Sequence, residues 1–392
     1  YRSILFALAI FCGATAATAS DETTTYDPQR LMSCDSTFYY ASLVHDYFMR
    51  TYPDPTANSF VGGKKRNSRI WTRGVYYEGL MAIYRQTPVE RWYDYTQEWG
   101  DFHKWISNDT SAPTNADYHC CGMAYIDMYM LDTTQTIRKQ HITEHINYLM
   151  YERQSINDWY WIDAIHMAMP IYAQLGSLEK DERYFEYMYK MYMFTRDKHG
   201  DAGQSSTGKG KGSPLFNEND GLWYRDYQFD PPYTDKVETD KSCYWSRGNG
   251  WVYTALMRVL QYAPDTVCHK EQYIADCTAM SEALAACQRE DGFWPVSLAA
   301  PTNYGSAEAE GPETSGTALF VAGMAYGIRS GILDSTTYMP HVVKGWNALC
   351  HRAGADDGFL GYVQGTGFKP EDGHPVPRTH VPDFEDFGIG RY

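Results

Sequence analysis

Asp220-Gly221-Leu222-Trp223, Asp291-Gly292-Phe293-Trp294 and Asp357-Gly358-Phe359-Leu360 repeat one short pattern at intervals of roughly 65 to 70 residues. Asp-Gly favours a tight turn, because aspartate bonds its own backbone and glycine tolerates the left-handed conformation. Each copy lies just past a helical stretch or in the loop after one. That interval fits one antiparallel pair of helices with its loops, and stacked pairs bury a continuous core. At this spacing the chain beyond residue 19 holds roughly six pairs, which close naturally into a ring. The expectation is an all-α fold, an (α/α)6 barrel or six-hairpin toroid, built by residues 20–392 as a single domain with no Pro/Ser-rich linker. Three coincidental Asp-Gly turns remain the competing reading.

The intervening sequence has helical periodicity. His141 to Arg153 carries Ile142, Ile146 and Leu149 on one face, and Glu182 to Arg196 carries Phe185, Met188, Tyr189 and Tyr192. Gln272 to Arg289 repeats the pattern with Ile274, Cys277, Met280, Leu284 and Cys287. Thr317 to Ser330 is nearly all apolar with small glycine and alanine positions, as a buried inner helix would be. Strand-like alternation is short and rare.

Bulk composition narrows the function. A formal charge of −15 excludes a nucleic-acid binder, since no cationic stripe is present to neutralise phosphates, and argues against an anionic membrane surface. An acidic sugar is still admissible if arginines are placed locally. The 34 tyrosines and 11 tryptophans supply flat faces for sugar rings, although most must simply fill a helical core. Arg2, the apolar run Ile4 to Cys12 and Ala17-Thr18-Ala19 describe a secretory signal peptide over residues 1–19, too short to span a bilayer. The expected address is therefore periplasmic or extracellular. Eight cysteines follow, without C-x-x-C spacing, so no metal site is expected on them; a disulfide at Cys268 or Cys277 is permitted.

Three segments concentrate chemistry. The first is Asn115-Ala116-Asp117-Tyr118-His119 before an apolar helix from Gly122 to Leu131, where Asp117 suits a helix cap as well as a site. The second is Asp158-Trp159-Tyr160-Trp161-Ile162-Asp163, leading on to His166, Met167 and Pro170. Asp163 stands there in an apolar, aromatic run. A buried carboxyl without a cation partner keeps its proton, as a general acid working near neutrality must. His166, one turn on, is the alternative partner that would make Asp163 merely structural. The third is Trp245-Ser246-Arg247-Gly248-Asn249-Gly250-Trp251, where a planar guanidinium between two indoles suits a carboxylate-bearing ring. Other constellations fail. His141 and His145 lack a third ligand and read as solvated. Gly203 to Lys209 imitates a phosphate loop but has Gly210 where Ser or Thr belongs. No G-x-S-x-G elbow occurs.

Together these segments resemble glycoside hydrolase family 105, the unsaturated rhamnogalacturonyl hydrolases, and its relative family 88. The resemblance runs over most of the chain beyond residue 19. It includes Trp71-Thr72-Arg73-Gly74 with Glu78-Gly79-Leu80, Asn115-Ala116-Asp117, Trp161-Ile162-Asp163, Gly221-Leu222-Trp223-Tyr224, Trp245 to Trp251, Glu313 to Thr317 and Lys344-Gly345-Trp346. It implies an (α/α)6 barrel and a metal-free, cofactor-free hydrolase that removes the terminal 4,5-unsaturated uronic acid from lyase-generated fragments. By resemblance Asp163 donates the proton and then serves as base for water, and Asp117 supports it by raising its proton affinity. Trp245, Arg247 and Trp251 would line the uronate pocket, with Arg225, His166 and Trp71 as further substrate contacts.

One residue departs from the family pattern. Members acting on rhamnogalacturonan often carry His after Gly-Leu-x-Tyr, where this chain has Arg225. An arginine there suits a sulfate or second carboxylate, so ulvan and arabinogalactan fragments stand beside pectin as substrates. The alternatives are an ordinary inverting glycosidase or sugar epimerase on the same barrel, and a non-catalytic sugar-binding protein. The expected partner is an unsaturated oligosaccharide, without nucleic acid or membrane insertion, bound by a monomer or weak homo-oligomer.

Overall fold

The computed structural model describes residues 27–108, 112–197, 214–234, 241–299, 312–372, 376–381, 383 and 385–392. The signal-peptide reading over 1–19 and the phosphate-loop mimic at 203–209 lie outside the described residues. Twelve α-helices account for the described fold: α1 (Cys34–Thr51), α2 (Trp71–Gln86), α3 (Glu90–Phe102), α4 (Cys121–Leu131), α5 (Ile137–Asn147), α6 (Asp163–Glu179), α7 (Glu182–Asp197), α8 (Ser246–Tyr262), α9 (Lys270–Cys287), α10 (Thr314–Arg329), α11 (Ser335–Ala348) and α12 (Asp386–Ile389). The helices expected from periodicity are present. The one expected to run from His141 to Arg153 begins earlier, at Ile137, and widens into a π-turn over Tyr148–Arg153.

Burial sorts the helices into two kinds. In α7 and α9 the buried residues form a stripe, as on a helix with one face to solvent. In α6 every residue from Asp163 to Gly176 is buried, and α8 and α10 are covered almost as completely. A helix buried all round must be wrapped by others, and the packing shows how. The helix α2 packs on α4, α4 on α6, α6 on α8, α8 on α10, α10 on α12, and α12 back on α2. That closed inner ring is backed by the outer helices, with α7 on α6, α9 on α8 and α11 on α10. The fold is the six-hairpin (α/α)6 barrel. Since one antiparallel outer helix separates consecutive inner ones, all inner helices run the same way and begin at one end of the ring.

The repeated Asp-Gly turns are part of this closure. Gly221, Gly292 and Gly358 have φ of +66°, +96° and +92°. A Cβ on them would lie 2.7, 2.4 and 2.3 Å from the carbonyl oxygens of Ala279, Lys344 and Leu43. Those carbonyls belong to α9, α11 and α1, so each turn presses onto the next outer helix, and the last returns to the first. Only glycine combines that backbone with so close an approach. The following tryptophan then pins an inner helix: the Trp223 N–H donates to Asn249 Oδ1 of α8 and the Trp294 N–H to Thr317 Oγ1 of α10, both at 2.8 Å. Three short antiparallel ribbons complete the described chain: β1 (Ser59–Val61) with β2 (Lys64–Arg66), β3 (Phe216–Asn217) with β4 (Leu222–Trp223), and β5 (Trp294–Pro295) with β6 (Pro312–Glu313).

Candidate active site

The starts of the inner helices converge at one mouth. Trp71 opens α2 and meets Trp251 of α8 edge-on with ring centres 6.1 Å apart, while Trp251 lies 4.9 Å from the His166 ring of α6. Asp163 is the first residue of α6. Just before it, Trp161 pairs with Asp226, and the Ile162 N–H donates to the Arg225 carbonyl at 2.9 Å. That backbone pairing fixes Arg225 beside the helix start. Its Nε donates to Asp163 Oδ2 at 2.9 Å and its Nη1 to Asp226 Oδ2 at 2.6 Å. Asp226 is itself buried and accepts the Gln228 N–H at 2.8 Å, so Arg225 is anchored from behind.

Asp117 faces the same place from a 3-10 turn, Ala116–Tyr118. Asp117 does not cap α4 as the sequence allowed, since that helix has Cys120 at its N-cap without a side-chain bond; Asn115 instead caps the 3-10 turn, accepting the Asp117 N–H at 3.0 Å. The Asp117 carboxyl accepts no hydrogen bond from the described residues. Burial, then the neighbouring Asp163 charge, push its pKa up to about 7, with Arg225 acting in the opposite direction. The carboxyl whose pKa burial raises is thus Asp117. Asp163 has an arginine partner that the sequence could not reveal.

Four expected substrate contacts lie behind the wall. Arg247 is fully buried, gives Nη1 and Nη2 to the carbonyls of Gln364 and Gly365 at 2.8 Å each, and is sandwiched between Trp245 and Phe387. It clamps a loop instead of presenting a fork to ligand. Trp245 is buried with Nε1 on Gln364 Oε1 at 2.8 Å. Trp251 packs between His166 and the Arg391 guanidinium. His166 turns away from Asp163 to Glu78 Oε2 at 3.1 Å, and burial followed by Arg391 keeps it neutral. Trp71 is half-buried and, with Arg225, Asp117 and Asp163, makes up the part of the expected site that the structure brings to the mouth.

The structure adds residues not anticipated. Tyr160 is 53% exposed beside Trp161, and Phe368 is 46% exposed with its ring centre 5.5 Å from the Arg225 guanidinium carbon. Exposed rings of this size next to a carboxyl pair suit sugar stacking. Tyr160 lies in the aromatic run before Asp163; Phe368 had no sequence signal, since it is brought in from some 140 residues beyond Arg225's neighbour Asp226. The histidines are not solvated as expected. His119 and His145 bond the Pro113 carbonyl at 2.8 and 2.7 Å, and His141 Nδ1 accepts the Ser107 N–H at 3.2 Å. They prop the segment that carries Asp117, and burial lowers the pKa of all three. Cys268 and Cys277 are free thiols. Among the described residues the one group at metal-ligand spacing is Glu186 of α7 with Cys268 and His269 just before α9.

Comparison with known proteins agrees with this geometry. The model of Glycosyl Hydrolase Family 88 matches residues 40–390. An unsaturated 3S-rhamnoglycuronyl hydrolase of Alteromonas sp. (strain LOR) is 27% identical over 357 residues, covering 83% of this chain and 76% of that protein. A protein of the same name from Formosa agariphila is 26% identical over 340 residues, covering 82% of each. A solved family 88 glycosyl hydrolase from Bacteroides vulgatus superposes with a TM-score of 0.76 at 28% identity, over 91% of this chain and 96% of that one. With the match running from within α1 to just past α12, the chain belongs to Glycosyl Hydrolase Family 88 and is a glycoside hydrolase.

Proposed function

We propose that this hydrolase removes the terminal 4,5-unsaturated uronic acid from polysaccharide fragments made by a lyase. The observation that carries the reading is the unequal carboxyl pair at the mouth: Asp117 pushed up to about 7, Asp163 held by Arg225. Ordinary glycosidases set two carboxyls around the scissile bond. Here the substrate already carries an enol ether across C4 and C5. A proton added to C4 leaves an oxocarbenium-like centre at C5, water adds there and gives up its proton, and the resulting hemiketal opens. The glycosidic bond is lost as a consequence, so one water is consumed for each uronate released.

Asp163 is the delivering member of the pair and the base for water, and Asp117 is the proton reservoir. In the free protein Arg225 Nε is bonded to Asp163 Oδ2. A carboxylate or sulfate engaging the remaining Nη2 of Arg225 weakens that hold and moves the proton toward Asp163. The names of the Alteromonas and Formosa relatives, together with Arg225, support a sulfated, ulvan-type fragment over pectin. Export through residues 1–19 and a monomeric or weakly associated state belong to the same proposal; secretion assays and light scattering check them.

The test is a panel of lyase-digested ulvan, pectin and arabinogalactan, followed by ultraviolet absorbance of the enol ether and by product mass. Loss of absorbance with release of a hydrated uronate is expected, fastest on ulvan. Cleavage of saturated chains with the absorbance unchanged would make the protein an ordinary glycosidase.

A further inference from the structure

The β1–β2 hairpin is bonded to Asp386 at the start of α12, which Thr72 at the start of α2 also bonds, and is not used by the chemistry above. Its second strand is Lys64-Lys65-Arg66, all exposed, and none of the three forms an ion pair among the described residues. In a chain of charge −15 three consecutive unpaired cations are out of pattern. The register places Phe60 opposite Lys65, so a 50% exposed aromatic ring and a lysine share one face.

The hairpin is fastened to the mouth from two sides. Ser59 Oγ donates to Asp386 Oδ2 at 3.3 Å, and Thr72, the second residue of α2, bonds the same oxygen at 2.9 Å. The Gly62 N–H donates to Thr366 Oγ1 at 3.1 Å and to Asp383 Oδ1 at 3.0 Å. Two residues after Thr366 comes Phe368, the ring under Arg225, which in turn holds Asp163. One bonded path therefore joins the cationic strand to the carboxyl pair.

The geometry points to this hairpin as a binding subsite for the anionic sugar units that follow the terminal uronate, with Phe60 under a sugar ring, Lys65 on the same face meeting a sulfate or carboxylate, and Lys64 and Arg66 on the opposite face adding to the local positive field. The inference rests on the exo-acting reading, in which the terminal residue enters the mouth and the remaining chain leaves over its rim. Flexible surface cations contribute little each and are screened by salt, so their signature is a salt-sensitive gain in affinity that grows with fragment length.

The test compares wild type with the Lys64→Gln/Lys65→Gln/Arg66→Gln variant on unsaturated sulfated disaccharides and tetrasaccharides, at low and high salt. The variant should raise KM for the tetrasaccharide about tenfold at low salt, with kcat and the disaccharide KM unchanged, in line with three screened charges. The wild-type salt dependence of the tetrasaccharide KM should vanish in the variant. Equal tetrasaccharide KM values in the two proteins would overturn the subsite. Calorimetric binding of a saturated sulfated tetrasaccharide separates this from the activity. Weaker binding by the variant, in a protein that hydrolyses no unsaturated fragment, sinks the proposed function and keeps the subsite.

Discussion

The mouth of the ring and its axis both pair buried carboxyls with arginines, and to opposite ends. On the axis, Glu78 is 2% exposed and accepts Arg391 Nη1 and Nη2 at 3.0 and 2.9 Å, with Arg258 and His166 completing its shell. Asp127 is held there by Arg85 at 2.6 Å and by Gln174 at 2.9 Å. Three arginines, Arg85, Arg258 and Arg391, surround two carboxylates here, so each carboxylate has at least one cation partner. At the mouth three carboxyls, Asp163, Asp226 and Asp117, surround one arginine, and Asp117 has no hydrogen-bond donor among the described residues. The comparison teaches that burial raises a carboxyl's proton affinity and its neighbours decide how much of that rise survives: Arg85 offsets part of it at Asp127, whereas at Asp117 the adjacent Asp163 charge adds to it.

Asp163→Asn should have the largest effect, a loss of turnover of about a thousandfold or more with the fold intact, within the reach of general acid–base catalysis. Wild-type rates in that variant, read by enol ether absorbance, would return Asp163 to a packing role. Glu78→Gln should do the reverse. Taking the charge from between Arg258 and Arg391 leaves buried cations uncompensated and should cost roughly 3 kcal/mol of unfolding free energy. Urea denaturation measures it; a variant as stable as wild type would mean that the axis tolerates unmatched charge as well as the mouth does.

Asp117→Asn should lose about a hundredfold, less than its partner, as a positioned reservoir and not the delivering group. It should also reshape the pH profile. The protonated form of Asp117 predominates below about 7, so wild-type kcat/KM should fall as pH rises through that value. In Asp117→Asn that limb should move; an unshifted limb assigns it to another group. The smallest expected change is in selectivity. Arg225→His should reduce the preference for sulfated over unsulfated fragments by about tenfold, the size of one charge-assisted contact near the surface. Unchanged selectivity would limit Arg225 to holding Asp163.

Much of this molecule was legible in its residues. The Asp-Gly repeat gave the hairpin interval because glycine is obligatory where a turn meets a neighbouring carbonyl, and that constraint is written in single residues. The buried character of α6 and α10 was visible because a helix wrapped on all sides has no polar face to hide it. Asp163 stood out as an ionisable group in an apolar run, and Asp117 was nominated through the family resemblance. The residues around Arg247 misled for a related reason. An arginine between tryptophans has the composition of a ligand pocket, but the same planar guanidinium serves equally to clamp backbone carbonyls, here those of Gln364 and Gly365.

Sequence alone determined the ring and nominated the two carboxyls, since periodicity and turn chemistry act over a few neighbouring residues. Only the tertiary structure decided how the two carboxyls are partnered. That depends on Arg225, 62 positions from Asp163, and on the gap left around Asp117. Electrostatic fields act through space, and no local pattern records which distant charge will arrive.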